Sequence, residues 1–399
     1  MSRSTTKHDL YNPTPEHLAL REMVRAFAEN EVEPRATESD RLERFDIDLF
    51  RQAGDLGLLG ITVDERFGGA GMDAVAAVIA HEELAAADPG FTLAFLAHTM
   101  LFANNLAQNG SDAQRAHYLP AACSGKAVCG MAMSEPGAGT DVLGMTTRAK
   151  KDGDHWVLDG AKMWITNGCI SWNELGDTFL VYAKTGEGAG AKALSLFIVE
   201  KGMAGFKLGQ KLHDKLGMRA SPTAELVFDG CRVPAANLVG HEGDAVLHMM
   251  RNLELERLTL AAMSLGIARR SIEIMNRYAR DRKAFGKELA SFGQIQRHIA
   301  ESYAEFMAGR AYVYQVAGAL DLTTAGNRID SDGVKLYCAQ MAKNVADRAI
   351  QVLGGYGYVG EYKVERLWRD AKLMEIGGGT NEAHQKNITR DLAHVDRIR

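Results

Sequence analysis

Arg148-Ala149-Lys150-Lys151-Asp152-Gly153-Asp154-His155-Trp156-Val157-Leu158 is the stretch whose reading decides the fold of this chain. Two short extended runs flank an Asp-Gly-Asp turn, which predicts a β-hairpin. Outward from it, Thr178 to Ala183, Ala193 to Val199 and Ala224 to Phe228 read as further short strands. On the N-terminal side the period becomes helical. Thr14-Pro15 is an N-cap followed by proline at the first helical position, and Pro34 is expected to close that helix. More helices follow Asp46, Met72 and Ser111, separated by turns such as Phe67-Gly68-Gly69-Ala70-Gly71. From Gly243 onward long helical stretches run to about 280, from 294 to 320 and from 331 to 353. The order helical, β, helical predicts an α+β, mostly α chain with units at 1–127, 128–240 and 241–399.

Composition narrows the function classes. The 399 residues are 46% hydrophobic, enough for two or three domains with substantial cores. The 46 Lys and Arg against 51 Asp and Glu give a net charge of −5, with no basic excess for nucleic acid. The five cysteines form no C-x-x-C pair, which argues against a disulfide framework or structural zinc and for a reducing compartment. Met1 to Pro15 has no apolar segment of signal-peptide type. The apolar stretch from Phe91 to Phe102 is interrupted by His98 and too short to span a bilayer. These features point to a bacterial cytoplasmic or organelle-matrix protein without a metal site.

Gly355-Tyr356-Gly357-Tyr358-Val359-Gly360 matches G-x-G-x-x-G, but Val345, Ala349 and Val352 place a helix before it. A dinucleotide fingerprint needs a strand there. The glycines read instead as a turn after a helix, requiring positive φ. In Leu253-Glu254-Leu255-Glu256-Arg257-Leu258, Glu256 falls roughly 60° from the centre of the apolar stripe and Glu254 roughly 100° away. Glu256 is therefore the carboxylate expected to face inward, either as a base of raised pKa or in an ion pair with a nearby arginine.

Five further segments carry a family likeness. They are Met131-Ala132-Met133-Ser134-Glu135-Pro136-Gly137-Ala138-Gly139-Thr140-Asp141, Lys162-Met163-Trp164-Ile165-Thr166-Asn167-Gly168, Arg282-Lys283-Ala284-Phe285-Gly286, Gln351 to Gly357, and Arg369-Asp370-Ala371-Lys372 leading into Glu375-Ile376-Gly377-Gly378-Gly379-Thr380-Asn381-Glu382. In this order and spacing they resemble the acyl-CoA dehydrogenase family across nearly the whole chain, and most nearly its isovaleryl-CoA branch. The resemblance implies a middle β-barrel-like domain between an N-terminal helical domain and a C-terminal four-helix bundle. It implies FAD held by Met131, Met133, Ser134, Thr140, Trp164, Thr166, Gln351, Gly355, Thr380 and Glu382, with Arg282 and Phe285 reaching the FAD of a neighbouring subunit in a homotetramer.

A flavin needs backbone donors, an aromatic wall and cations, and these segments supply them. Trp164 and Thr166, two apart on a strand, share a face. Most of the family carries its catalytic glutamate directly before Gly379-Thr380, where this chain has Gly378. The isovaleryl and long-chain branches carry it in the helix at a Glu-Arg pair, matching Glu256-Arg257. By the same resemblance the Gly378 N–H polarises the thioester, and Thr140, Leu93, Arg257, Leu260, Gly377, Gly378 and Gly379 contact substrate. Electron-transfer flavoprotein is the implied acceptor. A short branched acyl-CoA is the expected substrate. A longer or terpenoid-like branched acyl-CoA is the alternative, since Met374 replaces an aromatic and Ser171 to Gly176 extends a loop. Two other function classes stand as alternatives: an acyl-CoA oxidase or flavin monooxygenase on the same fold, or a flavin-free helical scaffold, against which the retained Trp164-Ile165-Thr166 and Glu256 argue. Gly293 stands where the family has a glutamine, with Gln294 beside it.

Overall fold

The computed structural model describes residues 9–171, 173–187, 190–324, 326 and 328–396. Thr14 caps the first helix, Pro15–Phe27, by accepting from the His17 N–H. Pro34 does not close it. A π-helical segment, Ala28–Val32, widens the turn so that the Glu33 N–H bonds to the Ala28 carbonyl, and the helix resumes as Glu33–Leu42. The wider turn absorbs both the missing donor and the ring bulk of proline. Asp46, Asp73 and Ser111 cap the helices Ile47–Asp55, Ala74–Ala87 and Asp112–Cys123, the last with a capping box to Gln114.

The hairpin forms as read. Arg148–Asp152 pairs with His155–Thr166, Asp152 faces His155, and Gly153 takes φ +60° in the two-residue turn. These strands belong to an eight-stranded sheet whose hydrogen-bonded path runs from Leu238–Val239 to Phe206–Lys211. Strand Thr178–Lys184 is buried on both faces, hence its unbroken apolar run. Leu180 and Tyr182 pack with Phe102, Leu106 and Leu119 of the helices. Phe179, Val181 and Ala183 pack with Trp156, Phe206, Phe228 and Val233. Strands from both halves of the sheet thus enclose one inner core, a barrel-like arrangement whose hydrogen-bonded path stays open at its ends.

The C-terminal helices are Ala245–Asp281, Gly293–Ala319, Arg328–Leu353, Val364–Met374 and Asn381–Leu392. They share one core with the N-terminal helices: Val24, Phe50, Val78 and Phe95 lie in the same cluster as Leu258, Met263, Val313, Val345 and Met374. The Ala74–Ala87 helix is buried on every side, as its composition Ala-Val-Ala-Ala-Val-Ile-Ala requires. It lies so close to the Ala245–Asp281 helix that a Cβ at Gly266 would overlap the Glu82 carbonyl oxygen. The carboxylates it buries, Glu82 and Glu83, are met by Arg21, Arg25, Arg269 and Arg310.

The G-x-G-x-x-G stretch follows the Arg328–Leu353 helix and opens a single turn, Gly355–Tyr358, so no strand precedes it. The positive φ falls on Gly354, one residue before the motif. Gly357 is required for another reason: its Cβ would lie 2.6 Å from the Ile350 carbonyl oxygen. The extended loop after Gly168 pairs Cys169–Ser171 with Glu174–Leu175. Residue 172 within it and residues 1–8 of the N-terminal segment lie outside the described residues.

Candidate active site

Glu256 lies in the fourth turn of the Ala245–Asp281 helix and is 6% exposed. Burial pushes its carboxyl up to about 7, against the pull of Arg257 and Lys335. Its Oε2 has no hydrogen-bond partner among the described residues. The ion pair with Arg257 that the sequence left open does not form: Arg257 Nη1 is 3.0 Å from Asp332 Oδ1 instead. Glu254 is buried as well, despite its more peripheral angle, because the helix is enclosed on all sides here. It accepts the Gly326 N–H at 3.1 Å.

Gly378 stands against Glu256. A Cβ built on it would lie 3.4 Å from Glu256 Oε1 and overlap Leu260 Cδ1. Gly378 (φ +65°) and Gly379 (φ +95°) form a left-handed pair that only glycine adopts freely. Gly377 differs: its φ is ordinary, and an added Cβ would make only normal contacts with Leu373, the nearest at 3.5 Å. Leu260 is buried, and Leu93 is partly buried against the same helical core. Met374 is fully buried in that core, and Glu375 pairs with Lys372 at 2.6 Å.

Three residues around this turn went unremarked in the sequence. The Gly379 carbonyl accepts from Lys335 Nζ at 2.7 Å and lies 3.0 Å from His384 Nε2. His384 Nδ1 is 2.5 Å from Asp332 Oδ1. Burial lowers the Lys335 ammonium to about 8, with Glu256 opposing, and burial also lowers His384. No local pattern marked them: the Arg328–Leu353 helix buries Ser331, Asp332 and Lys335 together with its apolar residues.

The Met131–Thr140 turn is braced from beneath. Glu135 accepts from Thr146 N (2.6 Å), Thr147 N (2.9 Å) and Lys162 Nζ (2.9 Å), and Lys162 also donates to the Met133 carbonyl at 3.0 Å. Burial would raise the Glu135 carboxyl, but Lys162 and the threonines hold it at about 2. Met133 is buried, Met131 and Ser134 are half-buried, and Thr140 is exposed. Glu135 and Lys162 lay inside the quoted segments without a role assigned from sequence.

Trp164 has φ +61° at a β-bulge between Lys162 and Ile165. The bulge reverses the strand's parity. Lys162 and Ile165 are buried although three apart, while Trp164 is 55% exposed and Thr166 is half-buried. The shared face of Trp164 and Thr166 therefore depends on the bulge.

Of the remaining expected residues, Thr380 follows the glycine turn and the others are exposed on the surface. Arg282 sits 5.9 Å from the ring centroid of Tyr356, which joins Arg282–Gly286 to the Gln351–Gly357 segment. Phe285 is 95% exposed at φ +52°, and Gln351 and Gly355 are exposed. Thr380 caps the Asn381–Leu392 helix by accepting from Ala383 N, with Glu382 exposed in its first turn. Gly293 and Gln294 are both exposed at the start of their helix.

Comparison with known proteins agrees with this geometry. The acyl-CoA dehydrogenase N-terminal, middle and C-terminal domains match residues 14–126, 130–231 and 246–393. The chain is 43% identical over 385 residues to mitochondrial isovaleryl-CoA dehydrogenase of Oryza sativa subsp. japonica, covering 96% of this chain and 92% of that enzyme. It is 41% identical to a 2-methylacyl-CoA dehydrogenase of Solanum tuberosum, covering 94% and 89%. The structure of butyryl-CoA dehydrogenase from Megasphaera elsdenii superposes with a TM-score of 0.89 at 33% identity, covering 99% of this chain and all of that one. No helix among the described residues is long and apolar enough to cross a membrane. This chain belongs to the acyl-CoA dehydrogenase family, a family of flavoprotein oxidoreductases.

Proposed function

We propose that the protein catalyses FAD-dependent α,β-dehydrogenation of a short branched acyl-CoA, such as isovaleryl-CoA, to the trans-2-enoyl-CoA, with Glu256 as the base. The observation that carries the reading is the unpaired, buried Glu256 carboxylate beside the bare backbone of Gly378. Burial gives the carboxyl a proton affinity suited to a carbon acid near neutral pH.

The residues present fit a flavin. Trp164 offers an exposed indole on a strained, fixed backbone, and the Ser134 turn is braced by the buried Glu135–Lys162 pair. Met131, Met133, Ser134, Thr140, Trp164, Thr166, Thr380 and Glu382 would hold the group. Gln351 and Gly355 would line the rest of it, and Arg282 and Phe285 would serve the copy bound in a neighbouring subunit of a homotetramer. When bound, FAD supplies the acceptor for the β-hydrogen, which leaves the substrate as hydride. Glu256 removes the α-proton as the Cα–Cβ double bond forms. The Gly378 N–H donates to the thioester oxygen, where charge develops as the α-proton leaves. Leu93 and Leu260 wall the acyl group, and Gly377 leaves room at the branch.

Electron-transfer flavoprotein is the acceptor in this reading, and the units 1–127, 128–240 and 241–399 are its structural frame. The relatives that act on isovaleryl-CoA and on 2-methylacyl-CoA support a branched substrate. The longer-chain alternative would need Met374 to leave the core in which it is packed.

The test is a panel of straight and branched acyl-CoAs, assayed with an artificial acceptor, for wild type and Gly377→Val. Wild type should prefer the short branched thioester. Gly377→Val should lose that activity far more than activity on butyryl-CoA. Equal losses on both would sink the branched-pocket reading.

A further inference from the structure

The Gly378–Gly379 turn has two consecutive glycines in the left-handed region, so its own chain does little to fix it. It is held from outside. Lys335 Nζ donates to the Gly379 carbonyl at 2.7 Å, and His384 approaches the same oxygen from the following helix. Lys335 is 1% exposed. Burying an ammonium costs far more than burying a hydrocarbon of the same length, so stability alone does not account for a lysine here. The groups facing it are Glu256 and Arg257 on the Ala245–Asp281 helix, Asp332 one turn before it, Glu375 after the Val364–Met374 helix, and His384 and Glu382 on the Asn381–Leu392 helix. Arg257 and His384 are both engaged with Asp332. The buried carboxylates with an unpaired oxygen that face Lys335 are Glu256, at Oε2, and Asp332, at Oδ2, and of the two the Glu256 charge acts on Lys335 the more strongly. From the sheet, the buried Tyr182 phenol also faces the Glu256 charge.

We propose that Lys335 is a positioning residue for the dehydrogenation: it clamps the Gly378–Gly379 turn through the Gly379 carbonyl and, by its charge, favours the ionised form of the neighbouring Glu256. The inference rests on the reading of Glu256 as the base. Without the clamp, the Gly378 N–H loses its fixed aim at the thioester oxygen. Without the charge, Glu256 keeps its proton to higher pH, because removing a nearby cation raises a carboxyl pKa by about one unit or more.

The test uses the flavin-loaded enzyme and three variants: Lys335→Met, Lys335→Arg and Glu256→Gln. Two quantities are read against pH: the rate of flavin reduction by isovaleryl-CoA, and the titration of the Glu256 carboxyl, followed without substrate as the infrared band missing from Glu256→Gln. In Lys335→Met both acid limbs should move up by about one unit, a loss of about tenfold at pH 6 that is partly regained by pH 9. Lys335→Arg should leave the limb in place. Lys335→Gln, also neutral, gives the same reading if the methionine variant is insoluble. A loss that is equal at all pH, with the carboxyl titration unmoved, would leave Lys335 no charge role towards Glu256 and overturn the inference. A Glu256→Gln enzyme that reduces its flavin at the wild-type rate would overturn the base assignment itself, and the inference with it.

Discussion

At Glu256 one buried carboxyl links reactivity to stability. Its folded-state value of about 7 lies above the 4.5 of the free side chain. The folded chain therefore binds this proton more tightly than the unfolded chain does. The destabilisation is absent below about pH 4.5, grows as pH rises, and is complete above about 7, where it reaches about 3 kcal/mol. Glu256→Gln removes it, so the variant should melt at a higher temperature than wild type at pH 8 and at the same temperature near pH 4.5. Its flavin reduction should fall by ~10²–10⁴. Identical melting at pH 8 would mean that the carboxylate is hydrated. In wild type the rate should rise with pH through about 7, since the base must be ionised. Restoring a carboxylate at Gly378 is harder than the family pattern implies, because Leu260 Cδ1 occupies the space and φ is +65°. Gly378→Glu in the Glu256→Gln background should give no rescue of flavin reduction. Adding Leu260→Ala should restore part of it with straight-chain substrates. Rescue without the leucine change would show that the Gly378 turn can move.

At the scale of elements, the helix pair Ala74–Ala87 and Ala245–Asp281 fixes where the base stands, and Gly266 sets their separation. Gly266→Ala must push the helices apart or strain the crossing, at about 1–3 kcal/mol. Urea unfolding should register the lower midpoint, and one within error of wild type would mean that the pair is loosely packed. The Ala245–Asp281 helix was legible from apolar periodicity, and a helix was read after Met72, where Asp73 caps it. So was the hairpin at Gly153, because its turn chemistry is local. Pro34 misled because a π-turn just before it can accommodate a proline, and no local pattern announces one. Glu256 could be found because one helix's angle and the family's glutamate positions agreed. Lys335, Asp332 and His384 could not, because their meaning comes from a turn some 45 residues along the chain from Lys335, joined only by tertiary packing. Trp164 was read as sharing a strand face with Thr166, and the β-bulge between Lys162 and Ile165, which leaves Trp164 exposed, was not foreseen because no local pattern announces it.

At the scale of the whole molecule, Phe285, 95% exposed, and Arg282 are the residues that the proposed function gives to a neighbouring subunit's FAD. Phe285→Asp together with Arg282→Glu should yield smaller assemblies that lose FAD on gel filtration. Sedimentation and the flavin absorbance report both. A variant that stays tetrameric with full flavin would remove these residues from the neighbour's site.

The single core joining the helices before residue 123 to those after 245 bears on how the chain is made. The Ala74–Ala87 helix, buried on every side in the folded chain, leaves the ribosome well before Gly266, against which it must close. At a synthesis rate of about 5–20 residues per second, that interval is roughly ten to forty seconds. The sheet between them, with an inner core of its own, can fold during this interval. The nascent N-terminal helices cannot complete theirs, and they are the part of the chain that a chaperone has reason to hold.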